Sequence, residues 1–217
     1  MNKPSRMVYQ TEKTRNLILR CAEEVFVEHG FFDAQMQDIA TAVGMSRHTL
    51  YRYYQNKTDL GMAIAERVMF AHAEHATQRL NELIAQENLS ALERFRKFLL
   101  EDAIPLFDSP DGRFLAEFDA YFTSHRAPSD FHERFSRNVI ILMDPVQELT
   151  AQGRSDGSMR ADVTPEQVLK VITGLRAIQK EIVLRGDLLL GIETGEISGV
   201  SAELANLLVE GMSSHKN

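Results

Sequence analysis

Between Ile39 and Lys57 the chain sets Ile39, Ala40 and Val43 at helical spacing, follows them with Gly44 and Ser46, and returns an apolar residue at Leu50. Gly44 permits a tight turn, Ser46 can cap a second short helix, and Leu50 can turn back to a core shared with the first helix. Two helices joined in this way make a helix-turn-helix, and the burial of Leu50 decides which side of the second helix faces outward. Over 46–53 that side carries Arg47, His48, Thr49, Arg52 and Tyr53. Long cationic side chains reach guanine edges in the major groove, and hydroxyls and phenols meet phosphate oxygens, so the mixture implies a helix that reads duplex DNA. From the pattern alone, an ordinary helical hairpin with a solvated basic face is the alternative.

The residues around the motif extend the pattern. Thr14-Arg15, Ile18-Leu19, Ala22-Glu23, Phe26, Gly30-Phe31, Asp38-Ile39-Ala40 and the run from Thr49 to Leu60 stand in the order and spacing of three short helices. This stretch resembles the DNA-binding domain of the TetR family of bacterial transcriptional regulators, over the first quarter of the chain. The resemblance implies an all-α protein with a helix-turn-helix domain at 1–57 and a larger helical effector-binding and dimerisation domain at 58–217. Such a protein acts as a homodimer on a palindromic operator, is released by a small organic effector, and is usually a repressor.

Arg47, His48 and Arg52 are the candidates for base-edge contacts, and Ser46, Thr49, Tyr53 and Lys57 resemble the positions that seat the family on phosphate. The spacing of Tyr51 with Leu50 and Tyr54 suggests core support instead. Two departures from the family pattern stand out. Ala34 and Gln35 replace good helix-capping residues, so Asp33 is expected to cap a slightly earlier start, and Tyr54 stands where Phe is commoner.

The net charge of -7 looks wrong for a DNA binder until it is divided along the chain. Residues 1–60 hold 8 Lys or Arg against 7 Asp or Glu, whereas 61–217 hold 16 against 24. A near-neutral reader can still neutralise phosphates if its cations share one face, but this chain has no general basic coat for packaging nucleic acid. No apolar run is long enough to cross a bilayer, and Met1 to Arg6 lacks a signal-peptide core, so a cytoplasmic protein is expected. The single Cys21 sits among Ile18, Ala22 and Val25 and reads as a buried small hydrophobe, with redox sensing as the sharper alternative.

Beyond the motif, periodicity predicts helices over 13–29, ended by Gly30, and from Lys57 or Thr58 past Ala76. Another runs from about Ser90 to Leu106, shortened at Pro105, and the next carries Phe114 to Phe122. A helix from Asp130 to Gln152 should kink at Pro145, and Gly153 to Asp162 reads as a connector. Thr164-Pro165-Glu166-Gln167 opens a helix to about Arg185, 186–201 is less regular, and a last helix starts near Ala202.

Phe95, Phe98, Phe118, Tyr121, Phe122, Phe135 and Met143 are candidates to line an effector cavity, each also explicable as simple core packing. Val168, Val171, Leu175, Ile178, Ile182, Leu204, Leu207 and Leu208 are candidates for a four-helix dimer interface, with intramolecular packing as the alternative. His72 and His75 could approach one metal, but no acidic or cysteine motif completes a site, so no metal or cofactor is expected. His125 and His132 bracket a break between helices, and Glu117 and Asp119 read as a solvated helix face. No nucleophile triad or phosphate-binding glycine loop points to an enzyme. The competing readings are a constitutive DNA-binding or scaffold protein without an effector, and an activator in place of a repressor.

Overall fold

The structure is a computed structural model, and it describes residues 6–191 and 197–214. The opening Met1–Ser5 and part of the irregular stretch expected at 186–201 lie outside the described residues. Ten α-helices are described: α1 (Arg6–Asp33), α2 (Met36–Val43), α3 (Arg47–Tyr51), α4 (Lys57–Ile84), α5 (Ala91–Phe98), α6 (Pro110–Tyr121), α7 (Phe131–Ile140), α8 (Met143–Ser155), α9 (Pro165–Leu190) and α10 (Ile197–Glu210). A π-helical turn (Leu99–Ala103) and a 3-10 turn (Pro105–Asp108) follow α5, and no strand is formed among the described residues beyond one isolated bridge, Met159 with Ser213.

The chain divides into two compact units. The first comprises residues 1–67 with 117–126, and the second 68–116 with 127–217. In the first, Ile18, Ala22, Phe26, Phe31, Ile39, Ala40, Leu50, Leu60, Ile64 and Phe118 are buried together from α1, α2, α3, the start of α4 and the end of α6. Gly30 (φ 75°, ψ 154°) breaks the helical path near the end of α1, so the last turn of that helix swings Phe31 inward. The core of the second unit gathers Leu80 and Leu83 of α4, Phe95 and Phe98 of α5, Leu142, Val146 and Leu149 around α8, Val168, Ile172 and Leu175 of α9, and Ala205 and Val209 of α10.

Several boundaries differ from those expected, each for a local reason. Asp33 does not cap α2. Gln35 occupies the cap position with extended backbone, its N–H held by the Asp38 carboxylate at 3.0 Å, while its Nε2 donates to the Asp33 carbonyl at 3.0 Å. The expected helix over 130–152 is two helices, α7 and α8, parted at Ile141-Leu142. Pro145 therefore lies in the first turn of α8, where no intrahelical N–H is required, and imposes no kink there. α9 continues through Gly186 to Leu190 and ends at Gly191, whose φ of 63° supplies the left-handed exit. α10 begins at Ile197, one turn and more ahead of Ala202.

Candidate nucleic-acid interface

The turn between α2 and α3 is closed by backbone. Gly44, at φ 76°, donates to the Thr41 carbonyl at 3.1 Å, and Met45 donates to Ala40 at 3.0 Å. Ser46 then caps α3: its Oγ accepts the Thr49 N–H at 3.1 Å and shares a 2.8 Å hydrogen bond with the Thr49 hydroxyl. α3 is regular only over Arg47–Tyr51, so Arg52 forms its C-cap and Tyr53 lies in the following turn instead of inside a helix over 46–53. Leu50 is wholly buried, which fixes the rotation of this short helix. Ser46, Arg47, His48 and Arg52 are exposed, and Thr49, Tyr53 and Lys57 are half-buried.

Tyr51 is exposed, contrary to the expected core role. It sits one turn after Arg47, whose Nη2 donates to the Tyr51 hydroxyl at 3.1 Å while the guanidinium lies 5.4 Å from the ring centroid. This i,i+4 pairing was the signal available in the sequence for a residue that aims Arg47. Tyr54, the other departure from pattern, is buried, and burial raises its hydroxyl pKa, with Arg15 and Arg67 opposing and Asp59 reinforcing the shift.

Lys57 opens α4 just after Asn56, whose Oδ1 accepts the Asp59 N–H at 2.8 Å while Asp59 accepts the Gln55 N–H at 3.1 Å. Its ammonium does not project freely. It donates to the Phe32 carbonyl at 2.7 Å and lies 5.1 Å from the Phe31 ring centroid and 5.7 Å from that of Tyr121. Burial lowers its pKa, and Asp33 pulls the other way. Glu117, expected on a solvated face, is half-buried and accepts the Phe31 N–H at 2.7 Å. That N–H is freed because Gly30 interrupts the helix, and a contact across 86 residues leaves no mark in local sequence.

The seven candidate effector residues are divided between the two units. Phe118, Tyr121 and Phe122 belong to the first, where Phe118 and Tyr121 meet Phe31 edge to face at 5.0 and 5.1 Å and Phe122 meets Phe118 at 5.1 Å. Phe95 and Phe98 are wholly buried in the second unit's core, and Phe135 and Met143 are half-buried in that unit. An open groove of about 900 Å³ in the second unit runs along α4 from Glu74 to Glu82, faces Ile141, and includes none of the seven.

The candidate dimer residues separate in the same way. Val168, Leu175 and Ile182 are buried within the second unit, Val171 and Leu204 are half-buried, and Ile178 (42%), Leu207 (70%) and Leu208 (38%) remain exposed. The first three are therefore covered within their own chain, and among the described residues the exposed large apolar side chains of α9 and α10 are the last three together with Leu188 (80%). His72 pairs with Asp111 at 3.3 Å, burial lowering its pKa against the pull of that carboxylate. His125 stacks on Tyr121 at 3.7 Å, and His132 is exposed. No group of three or more His, Cys, Asp or Glu that could hold a metal occurs among the described residues. No helix among them is long and apolar enough to cross a membrane.

Residues 18–64, from the middle of α1 into α4, match the family model described as bacterial regulatory proteins, tetR family. The transcriptional activator FasR of Mycolicibacterium smegmatis is 28% identical over 98 residues, 42% of this chain and 43% of its own length. The matched stretch thus spans less than half of that relative, and transcriptional repressors as well as activators are among the curated relatives. Among solved structures, a tetR-family transcriptional regulator from Pectobacterium atrosepticum superposes with a TM-score of 0.70 at 20% identity, covering 99% of this chain and all of that one. The transcriptional regulator FadR from Bacillus subtilis, in complex with stearoyl-CoA, superposes with a TM-score of 0.63 at 16% identity over 90% of this chain and 98% of its own. These likenesses establish the all-α fold along nearly the whole chain.

Proposed function

We propose that this chain, whose residues 18–64 match the model of the tetR family of bacterial regulatory proteins, is a ligand-responsive repressor that binds a palindromic operator as a homodimer. The observation that carries the reading is the Ser46-capped α3, locked by buried Leu50 with Arg47, His48 and Arg52 exposed. A short helix held so rigidly can enter a major groove without first being ordered. In this reading Arg47, His48 and Arg52 meet base edges, Tyr51 aims Arg47, and Ser46, Thr49 and Tyr53 meet phosphate. Lys57, with its ammonium on the Phe32 carbonyl, seats α4 against the turn after Gly30.

Ile178, Leu207 and Leu208 form the apolar surface on which a second copy docks, pairing α9 and α10 with their equivalents. An effector releases the operator when it favours a dimer whose two α3 helices no longer match successive half-sites. A ligand with equal affinity for both geometries changes nothing. A solved neighbour described with stearoyl-CoA supports a ligand-holding second unit, and relatives named as repressors support the sign. The chemistry is binding, as befits relatives named as transcription regulators.

The test is selection of duplexes from a randomised pool at fixed salt, followed by fluorescence anisotropy against scrambled controls. A palindrome bound by a dimer is expected. Arg52→Ala should lose about 1–3 kcal/mol of discrimination between matched and altered sites. Equal loss on matched and scrambled DNA would remove Arg52 from base readout, and failure to select any sequence would remove the regulator reading.

A further inference from the structure

Arg176 on α9 is a half-buried cation without an acid. Its Nε is buried and makes no hydrogen bond, and no ion pair to its guanidinium is found among the described residues. Asp111 is engaged by His72 at 3.3 Å. Burial alone pushes the Arg176 pKa down, and its charge in turn depresses His72. One helical turn further on, Gln179 is wholly buried, and its Nε2 donates to the Ile104 carbonyl at 3.0 Å. Since only the nitrogen can donate to a carbonyl, the amide orientation is fixed and Oε1 is left as an acceptor with no donor. Ser201 of α10 is likewise wholly buried with an unpartnered Oγ. α10 packs on α9, and both pack on the segment 99–108 that supplies Ile104.

Three unpaired polar groups on two packed helices work against the fold. An apolar residue in place of a half-buried guanidinium whose Nε is buried and unpaired is the cheaper choice for stability. Residues 176 and 179 share a helix face, so an uncompensated donor and an uncompensated acceptor lie side by side. A carboxylate satisfies a guanidinium through two parallel hydrogen bonds, while Oε1 calls for an O–H or N–H.

We propose that Arg176, Gln179 and Ser201 form a binding site in the second unit for a small organic acid that also carries a hydroxyl or N–H donor, and that this acid is the effector. The second half of that statement rests on the regulator reading above. The site makes α9 both the holder of the ligand and, through Ile178, part of the docking surface for a second copy.

The test uses the full chain in low-chloride buffer with acetate as the minimal carboxylate and acetamide as its neutral counterpart. In acid-free buffer, Arg176→Met is expected to melt above the unsubstituted protein, because a buried, unpaired Nε–H on a half-buried cation is gone. Acetate should raise the melting temperature of the unsubstituted protein and shift the Arg176 Nε–H resonance, identified by its loss in Arg176→Met. Acetamide should do neither, and Arg176→Met should bind acetate ~10- to 100-fold more weakly, the size of a charge-assisted contact. Gln179→Leu should keep the acetate response and lose the added affinity of 3-hydroxybutyrate. A lower melting temperature or failure to fold for Arg176→Met, equal effects of acetate and acetamide, or no response to acetate would each overturn the site. The effector role is separable: 3-hydroxybutyrate binding that leaves operator affinity unchanged removes that role and keeps the site. Selective operator binding in a chain that ignores both acids keeps the regulator and removes the site.

Discussion

Gly61→Ala pits helix propensity against packing at one atom. In an open helix the change should stabilise, by about 1 kcal/mol. Here a Cβ at position 61 would lie 2.6 Å from Phe118 Cε2 and 2.6 Å from Phe31 Cε2. Carbon atoms pack best at about 3.5–4.0 Å, so both rings must retreat by roughly 1 Å. Neither is free to do so alone. Phe31 is also packed against Phe26 at 5.0 Å and Tyr121 at 5.1 Å, and Phe118 against Phe122 at 5.1 Å. Overpacking of this kind costs about 1–3 kcal/mol, and with two constrained rings displaced the cost falls toward the upper end, so after the propensity gain of about 1 kcal/mol the expected outcome is a net loss of up to roughly 2 kcal/mol.

The chain supplies its own probe. It has no Trp, and its five Tyr residues, 9, 51, 53, 54 and 121, all belong to the first unit, so tyrosine fluorescence in a urea titration follows that unit alone. The midpoint should fall, with the far-UV dichroism of the folded state unchanged. Adding Phe118→Leu should restore part of the loss, giving a coupling above about 0.5 kcal/mol between positions 61 and 118. A Gly61→Ala midpoint at or above that of the unsubstituted protein would refute the reasoning, because propensity would then have outweighed the clash.

Three further outcomes are expected. Lys57→Ala should lower the stability of the first unit and leave the salt dependence of operator binding unchanged. A slope smaller by about 1 would mean that the ammonium leaves Phe32 for a phosphate. His72 has a folded pKa held below its ordinary value by burial, so as pH falls below about 6.5 the unfolded chain takes the proton first and stability declines. His72→Gln should flatten that decline in thermal melts between pH 7.5 and 5.5, and parallel curves would contradict the assignment. Leu207→Glu, at a side chain 70% exposed, should convert a dimer to monomer by sedimentation velocity with little change in melting temperature, whereas an intact dimer would move the interface elsewhere.

What could be read from the sequence was local. Gly44, Ser46 and Leu50 specify the turn, cap and facing of α3 within a few residues, and Thr164-Pro165-Glu166-Gln167 specifies the start of α9, where Thr164 Oγ1 accepts the Gln167 N–H at 3.3 Å. Amphipathic stripes were legible as stripes, not as interfaces. Val168, Leu175 and Ile182 carry the same periodic signal as Ile178, and only packing shows that the first three face their own core. Glycine and proline misled where position mattered more than identity. Gly186 sits inside α9 while Gly191 ends it, and Pro145 follows a break at Ile141-Leu142, directly before α8 begins.

The first unit shows why the remainder was hidden. Gly30 was legible as a helix end, but the consequence of ending a helix there is an orphaned N–H at Phe31, and the sequence does not say which group will take it. Glu117 takes it, at 2.7 Å, and Lys57 takes the Phe32 carbonyl just beyond. A carboxylate and an ammonium that look like solvated charges are thus both spent on backbone groups exposed by one glycine. The same turn carries Phe31 under Gly61 and against Phe118, so the polar partners and the aromatic packing fix a single arrangement. Removing Glu117 leaves a part-buried backbone N–H unpaired, so Glu117→Gln, which keeps an acceptor oxygen, should be tolerated far better than Glu117→Leu, which keeps none.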